Sequence, residues 1–169
     1  MGGDVAIDER VAELEAEMAT VGARLHRAAS PSEAREVAGG LIAGGSVAAW
    51  ADDVLEGAFF PEAAAPAEVA EVSLIAADLG IAQTGQIAFA HRSGRPRAIG
   101  LLPERQIALL AADDVVVDVA EAFARLFAGG AAPGNVVLVA GPSRTADIEQ
   151  RSIRGVHAPR ELDVVVYWR

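Results

Sequence analysis

The residues best suited to chemistry lie near the end of the chain. Gly141-Pro142-Ser143-Arg144-Thr145-Ala146-Asp147-Ile148-Glu149 follows an apolar run, Val136-Val137-Leu138-Val139-Ala140. A buried strand that breaks at Gly-Pro into a Ser/Thr-led helix start is one way α/β proteins make anion sites. The helix N-terminus offers unpaired N–H groups and a partial positive charge. The expected ligand is therefore a small anion. Gly141 would turn the chain, Ser143 and Arg144 would present amides and a fixed charge, and Thr145 and Asp147 would sit in the first helical turn. A second polar break, Gln83-Thr84-Gly85-Gln86, ends another strand-like run. In open α/β sheets, ligands bind beyond the carboxyl ends of strands. If the two strands are neighbours, both loops meet over one crevice. Each loop also has a plain structural reading: Thr-Gly as a tight turn, and Ser143 or Thr145 as a helix cap.

Two groups are candidates for moving protons. His157 lies in a small-residue loop, Gly155-Val156-His157-Ala158-Pro159, with Asp147 or Glu149 as a possible partner. Asp78 stands in an apolar stretch just before the Gln83 loop. Their bland readings are a backbone-ordering His and a turn-capping Asp. His26, His91 and His157 show no metal-ligand spacing, so no metal site is expected. The chain has no dinucleotide fingerprint, phosphate-loop lysine, nucleophile elbow or aromatic RNA-binding stripe.

Composition narrows the chemistry further. All 14 basic residues are Arg, which removes Schiff-base and lysine general-base mechanisms. Arg keeps its proton, so it can only bind or stabilise anions. With no Cys, the 169 residues can supply no cysteine-ligated cluster or disulfide. A net charge of -10 disfavours nucleic acid and anionic membrane surfaces as partners. The acidic start lacks a signal-peptide pattern, and no apolar run is long enough to span a membrane. A cytoplasmic location is the expectation.

The elements that position these residues alternate. Val11, Leu14, Met18, Val21 and Leu25 recur at helical spacing, predicting an N-terminal helix over residues 1–29 that carries His26. Its stripe suits either its own core or a seam of a homo-oligomer. Ser30-Pro31-Ser32-Glu33 predicts a second helix start. Strands are expected at 46–50, 72–76, 80–83, 86–90, 98–102, 107–111, 136–140 and 163–168. The segment around His91-Arg92-Ser93-Gly94-Arg95 would be a hairpin tip, and Asp52-Asp53 a short helix start. Asp113-Asp114 would cap a helix carrying Val119, Ala122, Phe123, Leu126 and Phe127. The pattern implies an α/β fold with a mixed or mostly parallel sheet covered by helices.

Ile81-Ala82-Gln83-Thr84-Gly85, Gly141 to Glu149, and Gly155-Val156-His157 with Pro159-Arg160 together resemble the signature blocks of the LUD domain, the LutC/YkgG lactate-utilisation family. The resemblance covers residues 30–169 and sets them apart from the N-terminal helix. It implies a Rossmann-like α/β/α sandwich of the NagB/RpiA/CoA-transferase-like kind. It also implies an accessory role in oxidising L-lactate to pyruvate. Iron–sulfur clusters would then sit on partner subunits (LutA- and LutB-like), with no cofactor in this chain. Gln83 stands where the family usually has an acidic residue, Gln86 replaces a common small hydroxyl residue, and Ala158 a common Gly. Gln83 cannot act as nucleophile or general base, which argues against covalent chemistry of the CoA-transferase type. The competing reading is an independent enzyme acting on a phosphorylated, carboxylated or CoA-linked metabolite.

Overall fold

The computed structural model describes residues 2–50, 64–91, 95–128, 132–142, 144–146, 152–154 and 159–169. Helix α1 (Gly2–Thr20) buries Val11, Leu14 and Met18 completely. The stripe therefore faces the protein's own core rather than a seam open to another copy. The helix stops earlier than its spacing suggests. Gly22 adopts φ +82°, a left-handed stop that residues with a Cβ rarely adopt. Leu25 and His26 consequently lie on strand β1 (Arg24–Ala28), not on the helix.

Helix α2 (Pro31–Ile42) begins as expected. Ser30 accepts the Glu33 N–H, and Pro31 occupies the first turn. Strands β2 (Val47–Ala49), β3 (Val72–Ala76), β6 (Arg105–Ala111) and β11 (Glu161–Tyr167) join β1 in one sheet, ordered β1-β11-β6-β3-β2. Every pairing in it is parallel. Its central strands are buried on both faces, so they read as continuous Val/Ile/Leu runs. On one face α2 packs Ala34 and Ala38 against Leu74, Ile107, Leu109 and Val165. On the other, α1 meets Ile75, Leu110, Val164 and Val166.

A second sheet shares that other face. It contains β4 (Leu79–Ile81), β5 (Gln86–His91), β7 (Val115–Val116) and β8 (Asn135–Val139), in the order β7-β4-β5-β8. Ile87 and Phe89 point into the core beneath α1, while Ile81, Ala88 and Ala90 pack on helix α4 (Val119–Phe127). The α/β architecture is thus as anticipated, but these nine strands divide between two sheets rather than one.

Other local expectations change for identifiable reasons. Residues 98–102 are not a hairpin strand. Helix α3 (Ala98–Leu101) forms there after Pro96, because β5 takes β8 as its antiparallel partner. Asp113 and Asp114 lie in a 3-10 turn, Ala112–Asp114. The cap of α4 is Asp118, which accepts the Glu121 N–H at 2.8 Å, while Glu121 accepts the Val117 N–H at 2.9 Å. The helix expected after Gly141 is also replaced: β9 (Arg144–Ala146) pairs antiparallel with β10 (Ser152–Arg154). Arg144 and Thr145 are therefore in extended chain, not in a first helical turn. Residues 51–63, with the expected helix start at Asp52-Asp53, lie outside the described residues. Among the described residues, no helix is long and apolar enough to cross a membrane.

Candidate functional site

The chain passes from the large sheet to the small one at two places, both at carboxyl ends of parallel strands. After β3, the Ala77 N–H donates to Leu109 O and the Asp78 N–H to Ala88 O, and the chain continues as β4. After β6, the 3-10 turn at Ala112–Asp114 leads into β7. A third strand, β11, ends beside them at Tyr167. The divergence leaves a polar cavity of about 180 Å³, bounded by Asp78, Arg95, Asp114, Tyr167 and Arg169 over a floor of Ala76, Leu109 and Ala111. Open α/β sheets bind ligands in this position, beyond the carboxyl ends of the strands.

The charges around the cavity are paired. Asp78 Oδ2 accepts the Ala90 N–H at 2.7 Å, and Oδ1 lies 3.1 Å from Arg95 Nη1. Asp114 accepts from Arg125 Nη2 at 2.7 Å and from Arg169 Nη2 at 3.0 Å. Burial pulls the Arg95 guanidinium below its ordinary value. Burial pushes the Tyr167 hydroxyl up, and Arg169 opposes this only in part. For Arg169, burial alone would lower the value, but Asp114 and Tyr167 more than offset it. Tyr167 therefore keeps its proton at neutral pH and can donate it in a hydrogen bond. The guanidinium groups supply fixed positive charge and planar donors. Asp78 is held by a backbone amide and an Arg, which suits an acceptor better than a mobile base. The arrangement can hold an anion, and it contains no activated nucleophile.

The residues singled out by sequence fall into three groups. Asp78 lines the cavity. Gln83, Thr84 and Gly85 lie at the opposite end of β4, and Gly141 lies beside them. The β5–β8 register, with Ile87 opposite Val139, brings Gln86 and Gly85 alongside Ala140 and Gly141. The two loops thus meet, at the C-terminal end of α1. A Cβ on Gly85 would stand 2.9 Å from the backbone of Glu17 and Met18, and one on Gly141 2.7 Å from the Val21 side chain. The Gly85 N–H donates to Ala82 O, the Gln83 N–H to Val117 O, and the Thr84 hydroxyl bonds the Gln86 amide oxygen at 3.0 Å. Arg144 and Thr145 are on β9, while Ser143, Asp147 and His157 lie outside the described residues. Among the described residues, no group of three His, Asp or Glu is placed to hold a metal ion.

Sequence reasoning missed Arg95, Asp114, Tyr167 and Arg169. The available signal was positional, since Arg169 closely follows an apolar strand and Asp114 follows another.

The family model described as LUD domain matches residues 62–167, from just before β3 to the end of β11. The chain belongs to the LUD domain family. Among curated proteins, it is similar to Lactate utilization protein C of Geobacillus kaustophilus, 33% identical over 104 residues covering 59% of this chain and 43% of that one. It is likewise similar to YkgG of Escherichia coli strain K12, 33% identical over 97 residues covering 55% of this chain and 42% of that one. The matched stretch spans less than half the length of these relatives. The fold is similar to a crystal structure described as a duf162 family protein from Deinococcus radiodurans. The TM-score is 0.70 at 20% identity, over 95% of this chain and 98% of the other. The LUD domain match includes Asp78, Arg95, Asp114 and Tyr167; Arg169 falls just beyond it.

Proposed function

We propose that this LUD domain protein serves in lactate utilisation as an accessory component. It holds a small anion at the carboxyl ends of its parallel sheet, while electron transfer proceeds on iron–sulfur partner chains. The names of its relatives support the pathway. The absence of Cys and Lys from these 169 residues supports the division of labour, since without them the sequence supplies no cysteine-ligated cluster and no Schiff base. The observation that carries the binding role is the end of β11. Tyr167 and Arg169 present a protonated hydroxyl and a guanidinium to one polar cavity.

The anion belongs in this cavity rather than at the Gly85–Gly141 junction. There the Gly85 amide is already bonded to Ala82, and both glycines press on the C-terminal end of α1, where the helix dipole is negative.

A thermal-shift series with L-lactate, pyruvate, phosphate and a CoA ester tests the reading. At least one anion should raise the melting temperature of the wild type, and Arg169→Ala should abolish the rise. If every rise survives Arg169→Ala, the assigned site is removed. Lactate oxidation by the isolated chain would overturn the accessory role.

A further inference from the structure

A second cavity, bordered by Trp50, lies between the two sheets. Ile75, Phe89, Val137 and Val139 make its walls apolar, and Gly100 and Leu101 of α3 close it. About 10 Å³ remains for the centres of water molecules, room for one. Two polar side chains in this wall have no partner. Gln106 is 1% exposed, and neither its amide nitrogen nor its oxygen is hydrogen-bonded. Trp50 is 2% exposed, and its indole N–H is likewise unpartnered. Buried polar groups are almost always satisfied, because an orphaned one keeps the full cost of leaving water. These three atoms, on two residues that line one cavity, are two donors and an acceptor that a small polar guest would satisfy. At the rim, Arg97 is exposed, and its side chain makes no hydrogen bond or ion pair among the described residues.

We propose that this cavity binds a short 2-hydroxy- or 2-oxo-carboxylate of the lactate and pyruvate kind. Arg97 takes the carboxylate at the rim, with the Trp50 N–H as a second donor. Gln106 offers both an acceptor and a donor to a hydroxyl, or the donor alone to a carbonyl. The methyl group lies against the apolar wall. Such an acid is larger than one water, so the wall must yield, and α3 is the part built to do so. It contributes no buried residue, and Leu101 and the adjoining Leu102 are exposed. The identity of the acid rests on the lactate-utilisation reading, but its location is independent of the polar cavity.

The Trp50 indole N–H resonance, assigned with Trp168→Phe, reports binding directly. Titration of the full chain with L-lactate or pyruvate should move it saturably. Propionate, which lacks the C2 oxygen, should bind at least about tenfold more weakly. Arg97→Ala and Gln106→Leu should each cost about tenfold or more, while Arg169→Ala should change nothing. The proposal fails if no acid gives a saturable shift, if propionate binds equally well, or if Gln106→Leu binds as the wild type does. If lactate or pyruvate stabilises the protein and only Arg169→Ala removes the effect, the polar cavity stands and this site falls. Loss in Gln106→Leu alone assigns these acids to this site and leaves the polar cavity to other anions.

Discussion

The Arg95 guanidinium sits 5.5 Å from the centroid of the Trp50 ring, so a residue of the polar cavity rests on a wall of the apolar one. Trp50 in turn meets Phe89 and His91 edge-on, with centroids 6.3 Å and 5.6 Å away. Its ring lines the apolar cavity and carries the arginine that borders the polar one. Trp50→Ala would remove a fully buried aromatic and the surface under Arg95. The expected loss is about 3–5 kcal/mol of unfolding free energy, read from urea denaturation. Trp50→Phe should cost clearly less, because most of the apolar volume stays. Equal losses would show that the indole itself, rather than the packed ring, is what the fold needs.

Gly85 and Gly141 close on successive parts of one helix end, and each has a positive φ, +63° and +134°. A Cβ at Gly85 meets backbone atoms of Glu17 and Met18 that cannot step aside. Gly85→Ala should therefore destabilise by about 1–3 kcal/mol, combining backbone strain with a lost helix contact. Gly40 gives the opposite sign. It lies inside α2 with nothing within 4 Å of an added Cβ, so Gly40→Ala should stabilise by about 0.5–1 kcal/mol. Thermal melts of the two variants should move in opposite directions.

Much of this fold was legible because its signals are local. The apolar run Val72–Ala76 is a strand as read, and Ser30 caps α2 with Glu33 at the position where a capping box needs it. The errors arose where a distant partner or one backbone angle decided the outcome. Leu25 continues the spacing of α1, yet Gly22 ends the helix and β11 recruits β1 into the sheet. Arg144 follows a Gly-Pro break that reads as a helix start, yet it pairs with Arg154 across β9 and β10. Asp118 carries its own local signal, Glu121 three residues on, a spacing that Asp113 and Asp114 lack. At the site, Asp78 stood out as a charge in an apolar stretch. Tyr167 and Arg169 did not, because only the parallel β6–β11 register carries them to Ala111.

Asp163 is a buried carboxylate that links acidity to stability. It is 1% exposed, accepts from Arg24 Nε and Nη2 at 2.8 Å, and lies 2.7 Å from His26 Nε2. Burial pushes its value up, but the hydrogen bonds from Arg24 and His26 outweigh it and leave the carboxyl below its ordinary range. The unfolded chain thus binds a proton here more readily than the folded one. The stabilisation is fully present above the unfolded value, about 3.9, and is lost as pH falls through the lower folded value. Urea midpoints should drop as pH falls below about 4, and Asp163→Asn should flatten that drop. At neutral pH the same variant should lose about 1–3 kcal/mol, because the buried carboxylate's charge-assisted bonds to Arg24 and His26 are replaced by weaker ones to a neutral amide, while the half-exposed Arg24 stays hydrated. An unchanged acid limb in Asp163→Asn would assign the acid sensitivity to other carboxylates.

Gln106 occupies a core-facing position of β6, on the same side as Ala108 and Leu110, where period-two patterning calls for an apolar side chain. Its amide is buried with neither atom bonded, and the site of an absent Cβ on Gly100 stands 3.5 Å from its nitrogen. In the unliganded protein this is a stability defect. Gln106→Leu keeps similar volume and removes the orphaned donor and acceptor, so it should raise the unfolding free energy by about 1–3 kcal/mol. The gain should shrink when L-lactate or pyruvate is added, because the wild type is then stabilised by its ligand and the variant is not. Denaturation with and without the acid measures both effects in one experiment. A variant less stable than the wild type in the absence of any acid would mean that the carboxamide is already satisfied in solution, by a trapped water.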